Sequence, residues 1–341
     1  MPTQYPTPLP PTDGMTALLD TLSLHGIAMY RGRFGAPWGL SFAPEREDGA
    51  ASATFHMVLS GAGCLLTLTG GESFALGVGD FALLPHSSPH TLTGGEYAAS
   101  VPIECAVTRG HITPDDWLCF GGDGARTETL CGNLYYTGET RNAPKPLDHP
   151  FLRALPPVIV LRGENGKPVP WLPATLDFLR CETTSGRPGY QTVANRLAEI
   201  LFIQAVRAYL AESDLGCTHA GYLRAIVDGR IAPALFAMHK HPAEPWSVAS
   251  LAERCCLSRS AFAEDFTRHV GVAPLTYLTQ WRLFLAGRFL RGSERLTLAD
   301  IAAKIGYGSE AALSKVFKQH VGVTPGEYRR QDSERPAAEI K

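Results

Sequence analysis

Residues 301–328, "IAAKIGYGSEAALSKVFKQHVGVTPGEY", decide how the last third of this chain folds, because the chain spells them nearly twice. The earlier copy is "LAERCCLSRSAFAEDFTRHVGVAPLTYL", residues 251–278. Leu251 and Ala252 align with Ile301 and Ala302. After one inserted residue at the turn, Phe262 aligns with Leu313, Phe266 with Phe317, His269 with His320 and Pro274 with Pro325. Each copy reads as a short helix, a turn (Cys255 to Ser258, or Ile305 to Ser309) and a second helix, the helix-turn-helix layout. Gly306 and Gly308 can supply the left-handed backbone of a tight turn. Ser258 and Ser309 stand where a side-chain oxygen would cap the second helix. Phe262/Phe266 and Leu313/Phe317, spaced i, i+4, anchor one face of that helix in a core.

The opposite face then projects outward. It carries Arg259, Ser260, Ala263 and Glu264 in the first copy, and Glu310, Ala311, Ser314 and Lys315 behind the cap Ser309 in the second. A helix of this kind fits the DNA major groove, about 12 Å wide, with its N-terminal half against base edges. Arg268, Lys318, Arg329 and Arg330 suit phosphate contacts, which position without specifying. Between the copies, "PLTYLTQWRLFLAGRFLR" (274–291) reads as one long amphipathic helix that sets their spacing. Two readers one turn of B-DNA apart, roughly 34 Å, would enter successive major grooves.

Charge agrees with this placement. From His219 onward there are 17 Lys/Arg against 12 Asp/Glu, a net of +5, whereas the preceding residues carry 14 against 21. A basic end on an acidic body suits a polyanion partner. Eight cysteines, with no CxxC pair, do not look like a disulfide scaffold or a zinc finger. A reduced, cytoplasmic setting is expected. No apolar run approaches the ~18 residues of a membrane span, so no membrane partner is expected.

Working toward the N-terminus, residues 222–330 form the helical domain, 331–341 a flexible tail and 212–221 a small, polar linker. Residues 171–211 hold two helices, "WLPATLDFLRCETTS" and "YQTVANRLAEILFIQAVRAYLAES" (the latter running to Ser213), joined by "GRPG". Val193, Leu197, Ile200, Leu201, Ile203, Val206 and Leu210 give the second an apolar stripe, suited to a homodimer face or to packing on its own domain. Residues 15–170 open with a short amphipathic helix pattern over 15–30. Glycine-punctuated strand-like runs follow, such as "ATFHMVLSG", "CLLTLTGG" and "FALGVGDFALLP". They predict an antiparallel sandwich or barrel, with "HPFLRALPPVIVL" as a further apolar segment of it. Residues 1–14, proline-rich, read as a disordered leader. The expected fold class is α+β multidomain: a β-barrel, a helix pair and an all-α tandem helix-turn-helix domain.

From about Ala225 to Arg330 the chain resembles the AraC family of bacterial transcription regulators, most closely over "IAAKIGYGSEAALSKVFKQHVGVTPGEYRR". The resemblance implies a bipartite seven-helix DNA-binding domain, base contacts from the outward positions above, promoter DNA and RNA polymerase as partners, and activation more often than repression. Ala263 and Ala311 are small where other members often carry longer polar groups, and Glu264 is acidic. These departures bear on which DNA is read. Residues 53–92 are similar to the cupin-type sensor of one AraC subgroup, which implies a small-molecule effector.

Metal-dependent cupin enzymes hold their metal with an HxH pair, a glutamate and a distant histidine. Here His56 stands alone, with Val58 at the second position, and His90 sits in the distant place with His86 four residues before it. The expectation is therefore an effector pocket walled by Trp38, Phe55, His56, His86 and His90, with no metal, no cofactor and no catalysis. A three-histidine zinc site, or a cupin oxygenase or isomerase with an appended helical domain, is the alternative. Buried structural cysteines are the default reading; among those in or beside the barrel, Cys131 is the one to test as a redox sensor. Cys255 and Cys256 are expected to pack in the core of the first helix-turn-helix.

Overall fold

The computed structural model describes residues 24–43, 50–96, 99–140, 149–164, 169–185, 187–212 and, with gaps at 223–224, 226–228, 293 and 295, residues 222–333. The leader, nearly all of the linker and the tail beyond Ser333 lie outside them. The chain divides into two compact units, and the division is not a single cut in the sequence.

One unit is built on strands. β1 (Leu24–Gly35), β2 (Trp38–Phe42), β3 (Ala50–Gly61), β4 (Cys64–Leu68), β5 (Ser73–Leu76), β6 (Phe81–Leu84) and β7 (His90–Gly94) follow in order. After them come β8 (Val101–Pro102), helix α1 (Ile103–Arg109), β9 (His111–Ile112), β10 (Trp117–Gly121) and β11 (Arg126–Thr140). A short helix, α2 (Pro150–Ala154), precedes β12 (Ile159–Leu161). The strands make a seven-stranded sheet, β12-β6-β3-β11-β1-β10-β9, and a five-stranded sheet, β5-β4-β7-β2-β8. Pairing is antiparallel except at β1/β10 and β2/β8. Side chains from both sheets fill one core between them, among them Phe34, Leu40, Val58, Leu66, Ala82, Leu92 and Cys131. Double-sheet packing of this kind follows from strands whose alternate residues are apolar.

The helix pattern read from residue 15 is not continued where the structure begins. Residues from Leu24 are strand, paired along most of their length with β11. Their ladder partners lie a hundred residues away, so tertiary pairing overrides the local pattern.

Helices α3 (Leu172–Ser185) and α4 (Tyr190–Glu212) belong to this same unit, and α4 packs over β1 and β12. The buried face of α4 is Ala194, Ala198, Leu201, Phe202, Ala205 and Val206. The stripe read from the large residues is therefore split. Leu201 and Val206 face the sheet, whereas Val193 and Ile200 are 38% and 47% exposed. Alanines explain the offset, because small side chains let a helix come close to a sheet, which a count of large residues overlooks.

The other unit is helical: α5 (Ala232–Lys240), α6 (Val248–Arg254), α7 (Arg259–Val270), α8 (Pro274–Arg291), α9 (Leu298–Ile305), α10 (Glu310–Val321) and α11 (Pro325–Ser333). His149–Ala154, expected from sequence to be part of the barrel, clusters here. The reason is aromatic. The fully buried His149 ring meets Trp281 and Phe284 of α8 edge-on at 5.8 and 4.8 Å. Residues Gln331–Ser333, read as tail, form the last turn of α11.

Candidate nucleic-acid interface and barrel interior

The two repeat copies fold alike. Ser258 caps α7 by accepting a hydrogen bond from the Ala261 N–H at 3.2 Å, and Ser309 caps α10 from the Ala312 N–H at 3.2 Å. Both helices end at a glycine in the left-handed region, Gly271 (φ 82°) and Gly322 (φ 91°). Phe262 and Phe266 bury one face of α7, and Leu313, Phe317 and Val321 bury that of α10. Phe266 meets Tyr277 edge-on at 5.7 Å, and Phe317 meets Tyr328 in the same manner at 5.3 Å.

This anchoring leaves the expected positions outward. Arg259, Ser260, Glu264 and Arg268 are exposed on α7, with Ala263 half-buried. Ser309, Glu310, Ala311, Lys315 and Lys318 are exposed at α10, with Ser314 half-buried. The two surfaces differ in how their charges are paired. Arg268 is held by Glu264 at 3.3 Å and Asp265 at 3.2 Å, whereas no ion pair among the described residues engages Lys315 or Lys318. Arg330 is exposed, but Arg329 donates to the Leu296 carbonyl at 2.7 Å and serves the fold. Cys255 is half-buried as expected of a packed residue; Cys256 is exposed.

The residues assigned to the barrel pocket do not form one wall. His56 and His90 do meet, Nε2 to Nε2 at 2.7 Å, beneath Phe42, whose ring stacks on His90 at 4.7 Å. Phe42 was not anticipated, since only the β2/β7 pairing brings it opposite His90. The Ser88 carbonyl lies 2.7 Å from His90 Nδ1, and a carbonyl can only accept. His90 therefore carries its proton on Nδ1, His56 donates through Nε2, and His56 Nδ1 is left as a bare, buried acceptor. Burial pushes the His56 ring well below its usual range and holds His90 at about 4, so both are neutral near pH 7.

Trp38 is opposite Gly94, four residues further along the β2/β7 ladder from the His90–Phe42 pair. At ~3.3 Å per residue that is roughly 13 Å away. Phe55 neighbours His56 on β3 and so points to the other face of the sheet, where it stacks on Phe81 at 5.7 Å. His86 Nε2 bonds the Leu155 carbonyl at 3.2 Å. The cupin metal does not fit these residues. The two ring nitrogens that would face it are spent on each other, and no group of three His, Cys, Asp or Glu gathers among the described residues. Cys131 is 1% exposed, and burial pushes its thiol up to about 12, the protonated and unreactive form.

Among the described residues no helix is long and apolar enough to cross a membrane. A cupin family model matches residues 13–211, and a helix-turn-helix domain model matches residues 251–331. The chain is 32% identical over 284 residues to the HTH-type transcriptional regulator AlkR of Acinetobacter baylyi, covering 81% of this chain and 87% of that one. It is 31% identical over 324 residues to a putative AraC-like transcription regulator of Streptomyces lividans, covering 94% and 98%. It is also 28% identical over 320 residues to the RCS-specific HTH-type transcriptional activator RclR of Escherichia coli, covering 94% and 98%. With a strand-built cupin domain and a helical domain whose capped, outward-facing helices suit a major groove, this chain belongs to the AraC-like family of DNA-binding transcription regulators.

Proposed function

We propose that the chain acts as a cytoplasmic homodimer which activates transcription at a promoter when its barrel domain receives a small-molecule or stress signal. Helices α7 and α10 serve as a tandem reader. Arg259, Ser260, Ala263 and Glu264 face bases in one groove, and Ser309, Glu310, Ala311, Ser314 and Lys315 face them in the next. Arg268, Lys318 and Arg330 take phosphates. The observation that carries this reading is the matched pair of capped helices whose buried faces leave those positions outward.

A dimer face on α3 and α4 is supported by Phe178, Val193 and Ile200, apolar side chains 50%, 38% and 47% exposed. Activation through RNA polymerase accords with one relative being named an activator. The His56–His90 pair, with one bare acceptor nitrogen, is the polar feature to which a barrel effector would donate a hydrogen bond. Such an effector works only by binding one arrangement of the dimer more tightly than another.

Selection of bound sequences from a random duplex library, with the purified full chain, tests the reader. The expected product is a motif with two sub-sites about one helical turn apart, weakened by Lys315→Ala and Glu310→Ala. A single sub-site, or a motif indifferent to both variants, would refute the tandem assignment. The salt slope at the best site then counts the phosphate contacts.

A further inference from the structure

The inward face of the barrel carries hydrogen-bond acceptors and no charge. Thr54 and His56 point inward from β3, and Asn133 and Cys131 of β11 stand opposite them. Tyr30 of β1 lies opposite Cys131, and Phe42 and His90 approach His56 from the second sheet. No Asp, Glu, Lys or Arg belongs to this core or packs against it among the described residues. Burial keeps both histidine rings neutral near pH 7. Glu104 of α1, whose charge is felt at Tyr30, is itself exposed. Tyr30, Phe42 and Asn133 are half-buried, so solvent reaches this end, whereas Leu40 and Trp38, further along β2, are fully buried.

A count of protons identifies the acceptors. Ser52 Oγ meets Ser87 Oγ at 2.9 Å, and Thr54 Oγ1 meets Ser87 Oγ at 2.8 Å. Ser87 Oγ lies 2.8 Å from the Ser52 carbonyl, and the Asn133 amide end lies 2.9 Å from Thr54 Oγ1. These are four bonds, and the three hydroxyls supply three protons. The fourth proton must come from Asn133, so its Nδ2 donates to Thr54 and its Oδ1 is left as an acceptor on the other side of the amide. His56 Nδ1 is the second acceptor, buried and unbonded. Asn133 and His56 stand two rungs apart on the β3/β11 ladder, roughly 7 Å, and open on the same space. Tyr30 adds a hydroxyl that can give or take a proton.

We propose that the barrel takes an uncharged phenol, which donates one hydroxyl to His56 Nδ1 and, where it has a second, donates that to Asn133 Oδ1. The inference rests on the reading of the barrel as the sensing domain and names the chemistry of what is sensed. A carboxylate would meet lone pairs at both positions and no cation between them. An ammonium would give up its hydration with no carboxylate inside to replace it. A hydrocarbon would leave both acceptors unpaired. The rings of Phe42 and Tyr30 suit an aromatic body in edge or offset contact.

The test follows five probes of similar size on the purified full chain by ligand-observed NMR: toluene, phenol, resorcinol, benzoate and benzylammonium. Resorcinol should bind about tenfold or more tightly than toluene, with phenol between them and both ions about tenfold weaker than phenol or undetected. With 15N-labelled histidine, resorcinol should move the Nδ1 signal of His56 and leave that of His239, likewise buried and bare, in place. His56→Leu should remove the advantage of phenol over toluene. Asn133→Ala, at a half-buried position that the fold tolerates more readily, should remove the advantage of resorcinol over phenol. Tighter binding of either ion than of resorcinol, or equal binding of toluene, overturns the assignment of class and leaves barrel sensing intact. Resorcinol binding that leaves the His56 signal unmoved overturns it as well, as does binding of none of the five. The sensing role is read separately, from promoter output of His56→Leu in cells, so the two readings can fail independently.

Discussion

The two halves of the repeat solve one folding problem with different residues. Both need a left-handed residue in the turn after the first helix, to turn the chain and let the following N–H reach back. In the second half that residue is Gly306 at φ 83°, and Tyr307 N–H bonds the Ala302 carbonyl at 2.8 Å. In the first half the aligned residue is Cys256 at φ 53°, and Leu257 N–H bonds the Ala252 carbonyl at 3.0 Å. A side chain in that region costs roughly 1–2 kcal/mol relative to glycine. The first half therefore bears a strain that the second does not. It also holds Arg268 in ion pairs, whereas no ion pair among the described residues engages Lys315 or Lys318 of the second. Duplication has kept the caps and the aromatic anchors and has let the turn and the reading surface diverge.

The largest effects should come from the shared anchors. Phe317→Ala and Phe266→Ala are each expected to cost about 3–5 kcal/mol, since both rings are fully buried against a tyrosine. Hydrogen exchange on the full chain would show whether each loss stays within its own half. Spread of protection loss across α8 into the other half would mean that the copies are one cooperative unit.

Acid should act next on the first half, through a residue outside the repeat. His239 of α5, buried beside Tyr277 and Trp281, is held at about 3 by burial. The unfolded chain takes up that proton below about 6.5, so the stability His239 confers is full above that pH. It is lost as pH falls toward 3, on the order of 4 kcal/mol across the whole window. A pH series of melts with His239→Gln should be flatter over this range than the native one. Equal slopes would show that His239 is not the source of the acid sensitivity.

The turns come third. Gly306→Ala puts a Cβ in a left-handed residue and 2.6 Å from the Ala243 carbonyl oxygen, which should cost about 2–3 kcal/mol. Cys256→Gly should do the reverse and stabilise by about 0.5–1 kcal/mol, part of the relief being offset by a looser unfolded chain. Chemical denaturation measures both, and a destabilising Cys256→Gly would remove the claim of strain.

The smallest effects concern reading. Lys315→Ala should weaken binding to the selected duplex by about 1–2 kcal/mol, whereas Glu264→Ala, which removes an acid beside the phosphates and one of the two carboxylates that hold Arg268, should leave it unchanged or a few-fold tighter. Competition binding at one fixed salt concentration decides. A larger loss from Glu264→Ala than from Lys315→Ala would reverse the assignment of the stronger reader to α10.

What could be read from sequence follows the range of the interactions. The helix pairs of the repeat were legible because caps, anchors and turns are set by residues within four positions of one another, as at Ser309, Ala312 and Leu313. The barrel pocket was legible only in part. The resemblance links His56 and His90, but strand alternation sends Phe55, the neighbour of His56, to the opposite face. The distance of Trp38 from His90 depends on a β2/β7 register that no local pattern states. The stripe on α4 is split, because alanines beside Leu201 and Val206 mark the face on the sheet, whereas Val193 and Ile200 stay exposed. His149 gave no signal at all, since its partners Trp281 and Phe284 lie more than a hundred residues away.

That last residue bears on how such regulators exchange parts. A hybrid made by cutting between residues 212 and 222 would look clean on paper, one sensor joined to one reader. It would nevertheless carry the segment His149–Ala154 away from the rings that enclose it and hand the new reader a helix surface shaped for another histidine. Natural shuffling and laboratory chimeras alike must move the six residues together with Trp281 and Phe284, or choose a donor in which that trio already matches. What such a hybrid must preserve is the packing of His149 on Trp281 and Phe284 within the helical unit.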